Sequence, residues 1–321
     1  MRDDRHNERG AALLTVLLLV AIVGALAAAT MEKLNLSTRQ AVNAKAMEQA
    51  RGWSQAAAIM ALVRIESLRK NSAARVSLAG GWSDRPFPLP IPDGVATARV
   101  HDGGNCFNLN SLVGQVSGDA YTVRSAGVLQ FARLMRLIGV PGGDSIAVAT
   151  ADWIDTDDTP IAGGAEDAAY SGFQPAYRTA NTLMADPSEL RAVLGVTPQI
   201  YDKLRPFICT LPTTDPATIN VNTIEPERSA LIASMAPDTV GVEAVRRVLL
   251  ARAEQGWDTP DAFWSMGSFG GPAPGEIGVK TDWFALTTDV TIGGVTLRQT
   301  GLIDARQPHP VLASRQWGEG A

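Results

Sequence analysis

The chain has 321 residues, 45% of them hydrophobic, with 28 Lys and Arg against 33 Asp and Glu for a formal net charge of −5. That balance disfavours a protein that grips a polyphosphate backbone. Three histidines and two cysteines leave little for a zinc or thiol-based site.

The first element is the run of residues 11–30, AALLTVLLLVAIVGALAAAT, which carries no charge and no proline. At about 1.5 Å per residue a helix of this length reaches roughly 30 Å, the thickness of a bilayer's hydrocarbon core. A helix also satisfies its own backbone there. Three readings fit. A secretory signal would use Arg2, Arg5 and Arg9 as its basic start and end near Ala25-Leu26-Ala27, but the apolar run exceeds the usual core of roughly 7–15 residues. A plain membrane anchor is the second. In the third, Arg9-Gly10-Ala11 resembles a type IV prepilin leader, residues 1–10, cut after Gly10 by a prepilin peptidase to leave Ala11 as the new N-terminus.

Residues 31–71 contain no proline and one glycine, Gly52, and are rich in strong helix formers. Apolar groups at Leu34, Val42, Ala46, Trp53, Ala57, Met60, Ala61 and Ile65 follow helical spacing. Residues 31–76 are therefore expected to continue the membrane helix as one long amphipathic rod. Residues 77–94, rich in Gly and Pro, read as a surface linker, and 95–100 (VATARV) as a half-buried strand.

Asn108-Leu109-Asn110-Ser111 recurs as Asn220-Val221-Asn222-Thr223, each ahead of helical sequence whose free N–H groups such side chains cap. The repetition points to two related helical subdomains. Helix-spaced apolar residues mark 127–138, 145–154, 188–194, 198–208, 228–235 and 242–254. Asp186-Pro187-Ser188-Glu189, Thr197-Pro198 and Thr259-Pro260 supply N-terminal caps with proline in the first turn. Residues 283–292 and 295–303 alternate as strands around Gly293-Gly294, a tight hairpin turn. The expected fold class is α+β: a long N-terminal helix on a small antiparallel sheet, with a large all-α domain inserted between its strands. The expected boundaries are 77–117 for the first part of the sheet, 118–280 for the insertion, 281–306 for the C-terminal strands and 307–321 for a loose polar tail.

Residues 152–167 (DWIDTDDTPIAGGAED) hold six acids: Asp152, Asp155, Asp157, Asp158, Glu166 and Asp167. With Asp155 as position 1, Asp157, Thr159, Ile161 and Glu166 fall at the oxygen-ligand positions of an EF-hand loop, although Pro160 replaces its glycine. Carboxylates this crowded need a cation, protonation or solvent. Oxygen donors without His or Cys select calcium over softer metals. Asp155, Asp157, Glu166 and Asp167 lead this ligand set, with Asp152 and Asp158 beside them. A solvated acidic loop and a catalytic carboxylate pair are the competing readings. Cys106 and Cys209, in a chain whose apolar run at 11–30 points to export, suggest one disulfide, against two buried thiols.

Taken together, RGAALLTVLLLV at 9–20, ADWIDTDDTP at 151–160, GGAEDAAY at 163–170, PAYRTANTLM at 175–184, PFICTLP at 206–212 and INVNT at 219–223 resemble the K-type minor pseudopilins of type II secretion, the GspK family. The resemblance implies a pilin fold with a helical insertion that binds calcium. It also implies a single pass through the bacterial inner membrane with a periplasmic head, and a cleaved, methylated N-terminus. The implied partners are the I-type and J-type minor pseudopilins, at the tip of a fibre of major pseudopilin. The resemblance further implies that the complex primes fibre assembly for export across the outer membrane. Most pilin-like proteins carry Glu five residues into the mature chain; Thr15 stands there, as the K-type family also lacks that acid. A carboxylate inside an apolar helix bundle is costly unless paired, so its loss suits a subunit with none above it.

The rival reading is a membrane-anchored, competence-receptor-like DNA-binding protein, because residues 220–265 resemble a helix-hairpin-helix module. Its turn, Pro237-Asp238-Thr239-Val240-Gly241, has one glycine and an added acid where phosphate-facing amides are needed. No nucleic acid is expected as a partner. No nucleophile elbow or phosphate loop marks an enzyme, and His6, His101 and His309 fall in leader, loop and tail.

Overall fold

The computed structural model describes residues 4–72 and 74–318, with side chains from residue 11 onward. Gly10, on the leader side of the expected cleavage junction, therefore lies outside the described side chains. Helix α1 spans Asp4–Asn71 without a break, as the absence of proline predicts. Residues 11–45 are exposed along their whole length, and the helix is long and apolar enough near the N-terminus to cross a membrane.

From residue 46 the rod meets the head. Ala46, Ala50, Ala57, Ala58, Ala61 and Ile65 are buried against the sheet. Five of these six are alanines, so the helix backbone lies close to the strands. Ser54 sits in the same stripe and bonds to Thr288 Oγ1 at 2.6 Å and Gln299 Oε1 at 3.0 Å. The expected face is partly corrected: Leu34, Val42 and Met60 are exposed. The first two precede the sheet, and Met60 turns away from it.

The expected linker contains a short edge strand, β1 (Phe87–Leu89), antiparallel to β2 (Gly94–Asp102). The chain then leaves the sheet at Asp102, earlier than expected. Cys106 and the residues after it, expected in the sheet, form β3 (Phe107–Asn108) and a 3-10 turn at Leu109–Leu112 whose side chains enter the helical core. The hairpin of β4 (Val113–Ser117) and β5 (Ala120–Val123) follows, then α2 (Ser125–Leu137), α3 (Gly143–Ile154), α4 (Asp167–Tyr170) and α5 (Pro198–Leu204). The helix expected at 188–194 is a 3-10 turn, Pro187–Ala192, with the expected Asp186 and Glu189 capping box. Helix α5 stops short of residue 208 because Pro206 has no N–H to continue it, and Arg205–Phe207 tighten into a 3-10 turn. Strand β6 (Ile208–Cys209) returns parallel to β3.

A second unit repeats the plan with β7 (Ile219–Asn220), α6 (Ser229–Met235), α7 (Val242–Leu250), α8 (Pro260–Met266) and β8 (Ile277–Gly278), which is parallel to β7. The two Asn-x-Asn motifs do the same work in each. Asn110 accepts from Met184 N–H at 2.8 Å and donates to Met184 O at 2.9 Å; Asn222 does both with Trp257, at 2.7 and 2.9 Å. Asn108 and Asn220 each accept from the amide two residues on, at 3.2 and 2.9 Å. Both units share one apolar core.

The chain rejoins the sheet as β9 (Trp283–Ile292), followed by β10 (Val295–Asp304) and β11 (Val311–Trp317), all antiparallel, in the order β1-β2-β9-β10-β11. Gly293 and Gly294, at φ 57° and 79°, make the hairpin turn that only a residue without Cβ enters freely. Strand β11 corrects the expected loose tail: residues 311–317 pair with β10 and add an edge to the sheet. Because β2 and β9 are neighbours, with Asp102 opposite Phe284, the insertion leaves and returns through adjacent strand ends.

Candidate metal centre

Helix α3 ends in the acidic stretch. Asp152 lies in its last turn and Asp155 is its C-cap, while Glu166 is the N-cap residue of α4. The loop between them folds back so that one carboxylate oxygen from each of Asp152, Asp155 and Glu166 lies within 4.8 Å of the others. All three are buried, with 0%, 2% and 5% of their surface exposed.

The Asp152 carboxylate organises the loop. Its Oδ2 accepts from Ala165 N at 2.8 Å and from Ile161 N at 3.2 Å. A Cβ on Gly164 would collide with this carboxylate, so glycine is required there. These contacts take the place of the EF-hand turn that Pro160 forbids. Glu166 Oε2 accepts from Thr179 Oγ1 at 3.2 Å. Asp155 Oδ1 and Glu166 Oε1 are buried with no partner.

Charge is uncompensated. Burial, then the field of Asp157 and the other acids, pushes Asp155 up to about 7; burial, then the field of Asp152, pushes Glu166 up to about 7. Asp152 is also raised by burial. The C-terminal end of α3 adds its own negative partial charge. Among the described residues no Lys or Arg forms an ion pair with any of the three. Three hard oxygen donors, two of them with orphaned atoms, fit a calcium-type cation and give softer metals no ligand of their own.

The remaining expected ligands lie apart from this trio. Asp157 is exposed and accepts from Thr159 N at 2.8 Å; Asp158 is exposed. Asp167 accepts from Thr179 N and Oγ1, both at 3.0 Å, and pairs with Arg178 at 3.6 Å, so its carboxylate holds the 175–184 segment. Asn181 was not singled out from sequence. Its N–H donates to Trp153 O at 3.1 Å beside the end of α3, and its Oδ1 is buried without a partner. Nothing in its spacing from the acids marks it, because the loop fold alone brings it there. Trp153, Tyr170, Phe173 and Tyr177 pack as an aromatic cluster next to the acids, with Tyr170 fully buried.

The other expected sites are placed as follows. Cys106 and Cys209 form a disulfide across 103 residues, tying β3 to β6. Thr15 is exposed on α1, its hydroxyl donating to Ala12 O at 2.9 Å. In the hairpin-like second unit, Arg252 donates to Val221 O and Ile224 O, and Arg246 pairs with Glu227 and Glu243. The turn itself is held by Arg133, which donates to Ala236 O and Pro237 O and pairs with Asp238. These arginines are occupied by the protein's own carbonyls and carboxylates.

A continuous N-terminal helix laid through alanines on an antiparallel sheet defines a pilin-type protein, here with a helical domain and its carboxylate cluster set into the sheet. Residues 105–213 and 219–283 match the two family profiles described as type II secretion system protein K. Type II secretion system protein K of Aeromonas hydrophila is 32% identical, with 98% of each chain covered, and that of Klebsiella pneumoniae is 29% identical over 98% of this chain and 97% of its own. Among solved structures, a chain of the GspK-GspI-GspJ complex from enterotoxigenic Escherichia coli superposes with a TM-score of 0.73 at 28% identity, covering 85% of this chain and 97% of that one. The chain belongs to the type II secretion system protein K family, the K-type minor pseudopilins.

Proposed function

We propose that the chain caps the pseudopilus of a type II secretion system. In this reading it is anchored in the inner membrane through residues 11–30, with its head in the periplasm. There it assembles with an I-type and a J-type minor pseudopilin to prime the fibre of major pseudopilin for export across the outer membrane. The observation that carries the reading is the likeness, over 85% of this chain and 97% of the other, to a chain solved in the GspK-GspI-GspJ complex. Two features agree. Residues 11–45 of α1 are exposed among the described residues. Thr15 supplies no carboxylate to a subunit above it. A prepilin peptidase would cut between Gly10 and Ala11.

Within this reading calcium supplies the positive charge that Asp152, Asp155 and Glu166 lack, with the Asn181 amide oxygen as a further candidate ligand. The residues of the chain position the loop: Asp152 gathers the amides of Ile161 and Ala165, and Thr179 orients Glu166.

The test is co-purification. Full-length protein in detergent should retain the I-type and J-type minor pseudopilins of its own system in a defined ternary complex, with an N-terminus at Ala11 by mass spectrometry. A chain that binds neither subunit, or that starts near residue 28 and is free in solution, would sink the proposal.

A further inference from the structure

Beside the last turns of α1 lies a groove of about 550 Å³ that the assembly reading does not use. Leu68 of the helix gives it apolar surface over the buried Ile65 and Val100, and Trp82 and Phe87 add aromatic faces. The aromatics are fixed: the Trp82 indole donates to Ser77 O at 2.7 Å and packs 5.6 Å from Phe284, and the Arg64 guanidinium lies 5.4 Å over the Phe87 ring. Arg64 and Arg85 both line the groove, no acid does, and neither arginine forms an ion pair among the described residues. In a chain of net charge −5, two guanidiniums left without carboxylates beside ordered aromatic rings form a pocket of one sign. Its volume lies in the range of ligand sites, roughly 300–1,000 Å³.

The geometry narrows the occupant. Arg64 is 34 residues beyond Thr30 on a continuous helix, about 50 Å from the apolar run at 1.5 Å per residue, so lipid headgroups are out of reach. Pro88 removes an N–H within edge strand β1, and Pro86, Pro90 and Pro92 remove three more on either side of it, which disfavours a partner that would dock there by extending the sheet. What remains is recognition through side chains. We propose that the groove docks an extended acidic segment of a partner protein, with carboxylates on Arg64 and Arg85 and a neighbouring aromatic ring against Trp82 and Phe87. Planar guanidiniums pair carboxylates in a fork geometry and stack on aromatic faces, and both features are present in one groove.

Fluorescence anisotropy tests this with full-length protein in detergent and a fluorescein-labelled peptide, Gly-Ser-Asp-Phe-Glu-Ser-Gly. Saturable binding that weakens with salt is expected, and the amide counterpart, Gly-Ser-Asn-Phe-Gln-Ser-Gly, should bind about tenfold more weakly. Arg64→Gln and Arg85→Gln should each cost about tenfold and together abolish measurable binding. Both positions are exposed, and only the Arg64 stacking on Phe87 is lost from the fold, so melting curves should stay close to the parent and separate lost binding from lost folding. Equal affinity for the two peptides, parental affinity in the double variant, or no saturable binding overturns the proposal. None of these outcomes bears on whether the chain joins the I-type and J-type subunits.

Discussion

Asp155 and Glu166 each carry a buried oxygen with no partner, and each has its proton affinity raised from the ordinary carboxylate range, 3.8 and 4.5, to about 7. Calcium at a hundredfold excess over its Kd should stabilise the head by about 3 kcal/mol, a rise of roughly 5–10 °C in Tm that EDTA reverses. Gly164→Ala, which drives a methyl into the Asp152 carboxylate, should abolish that calcium-dependent rise; a variant that keeps it would show that the trio is not the site. The pH dependence in EDTA has a definite sign. The folded carboxyls hold protons up to about 7 and the unfolded ones release them near 4, so the folded state binds more protons across this window. Stability of the metal-free protein should therefore fall as pH rises from 4.5 to 7 and level off above it, and saturating calcium should remove the fall. Thermal melts across that range decide it, and a Tm that climbs toward pH 7 in EDTA contradicts the assigned strain. The legibility of this site was partial. The spacing from Asp155 to Glu166 led to two of the three converging carboxylates, because an acid at each end of a loop can close on one point. Asp157 and Asp158 lie on the exposed outer side of that loop, which spacing alone does not reveal, and Asp152 joins from within a helix.

At the scale of elements, strands β9 and β10 were readable to within a residue because β-branched, partly alternating sequence on both sides of Gly293-Gly294 marks register and turn. Strand β11 was hidden. Its residues are mostly exposed edge positions, VLASRQW, so no apolar face betrays it. The Cys106 segment was assigned to the wrong domain because a two-residue strand and a 3-10 turn have no period to read. The disulfide joins the two ends of the first helical unit, and removing it relaxes a loop of 103 residues in the unfolded chain. Cys106→Ser with Cys209→Ser should lose roughly 2–5 kcal/mol of stability in guanidinium unfolding. An unchanged midpoint would mean that the core shared by both units holds that end shut without the bond.

For the whole molecule, one buried carboxylate gathers donors from both sides of the joint between sheet and insertion, beside the bonds of Val76 to Val279 and Asn220 and the packing of Trp283 on Leu211 and Ala217. Asp102, the last residue of β2, accepts from Thr223 Oγ1 at 2.6 Å, Thr281 Oγ1 at 2.5 Å and Gly104 N at 2.9 Å, and burial pushes its carboxyl up. Asp102→Leu would strand all three donors and should cost about 3 kcal/mol or more, whereas Asp102→Asn keeps an acceptor for Gly104 and lets the hydroxyls rotate, at about 1 kcal/mol. Denaturant titrations should give that order; equal costs would mean the joint is held by its other bonds and its packing.

The route of the chain at this joint has a consequence for how such a protein is built. Asp102 and Trp283 end neighbouring antiparallel strands, so a short reverse turn in place of residues 103–282 would close the sheet as an ordinary hairpin. The helical domain thus enters and leaves the sheet at one point. No pairing of the five-stranded sheet runs through residues 103–282, so change in the length of that domain is absorbed at one doorway rather than along the strands.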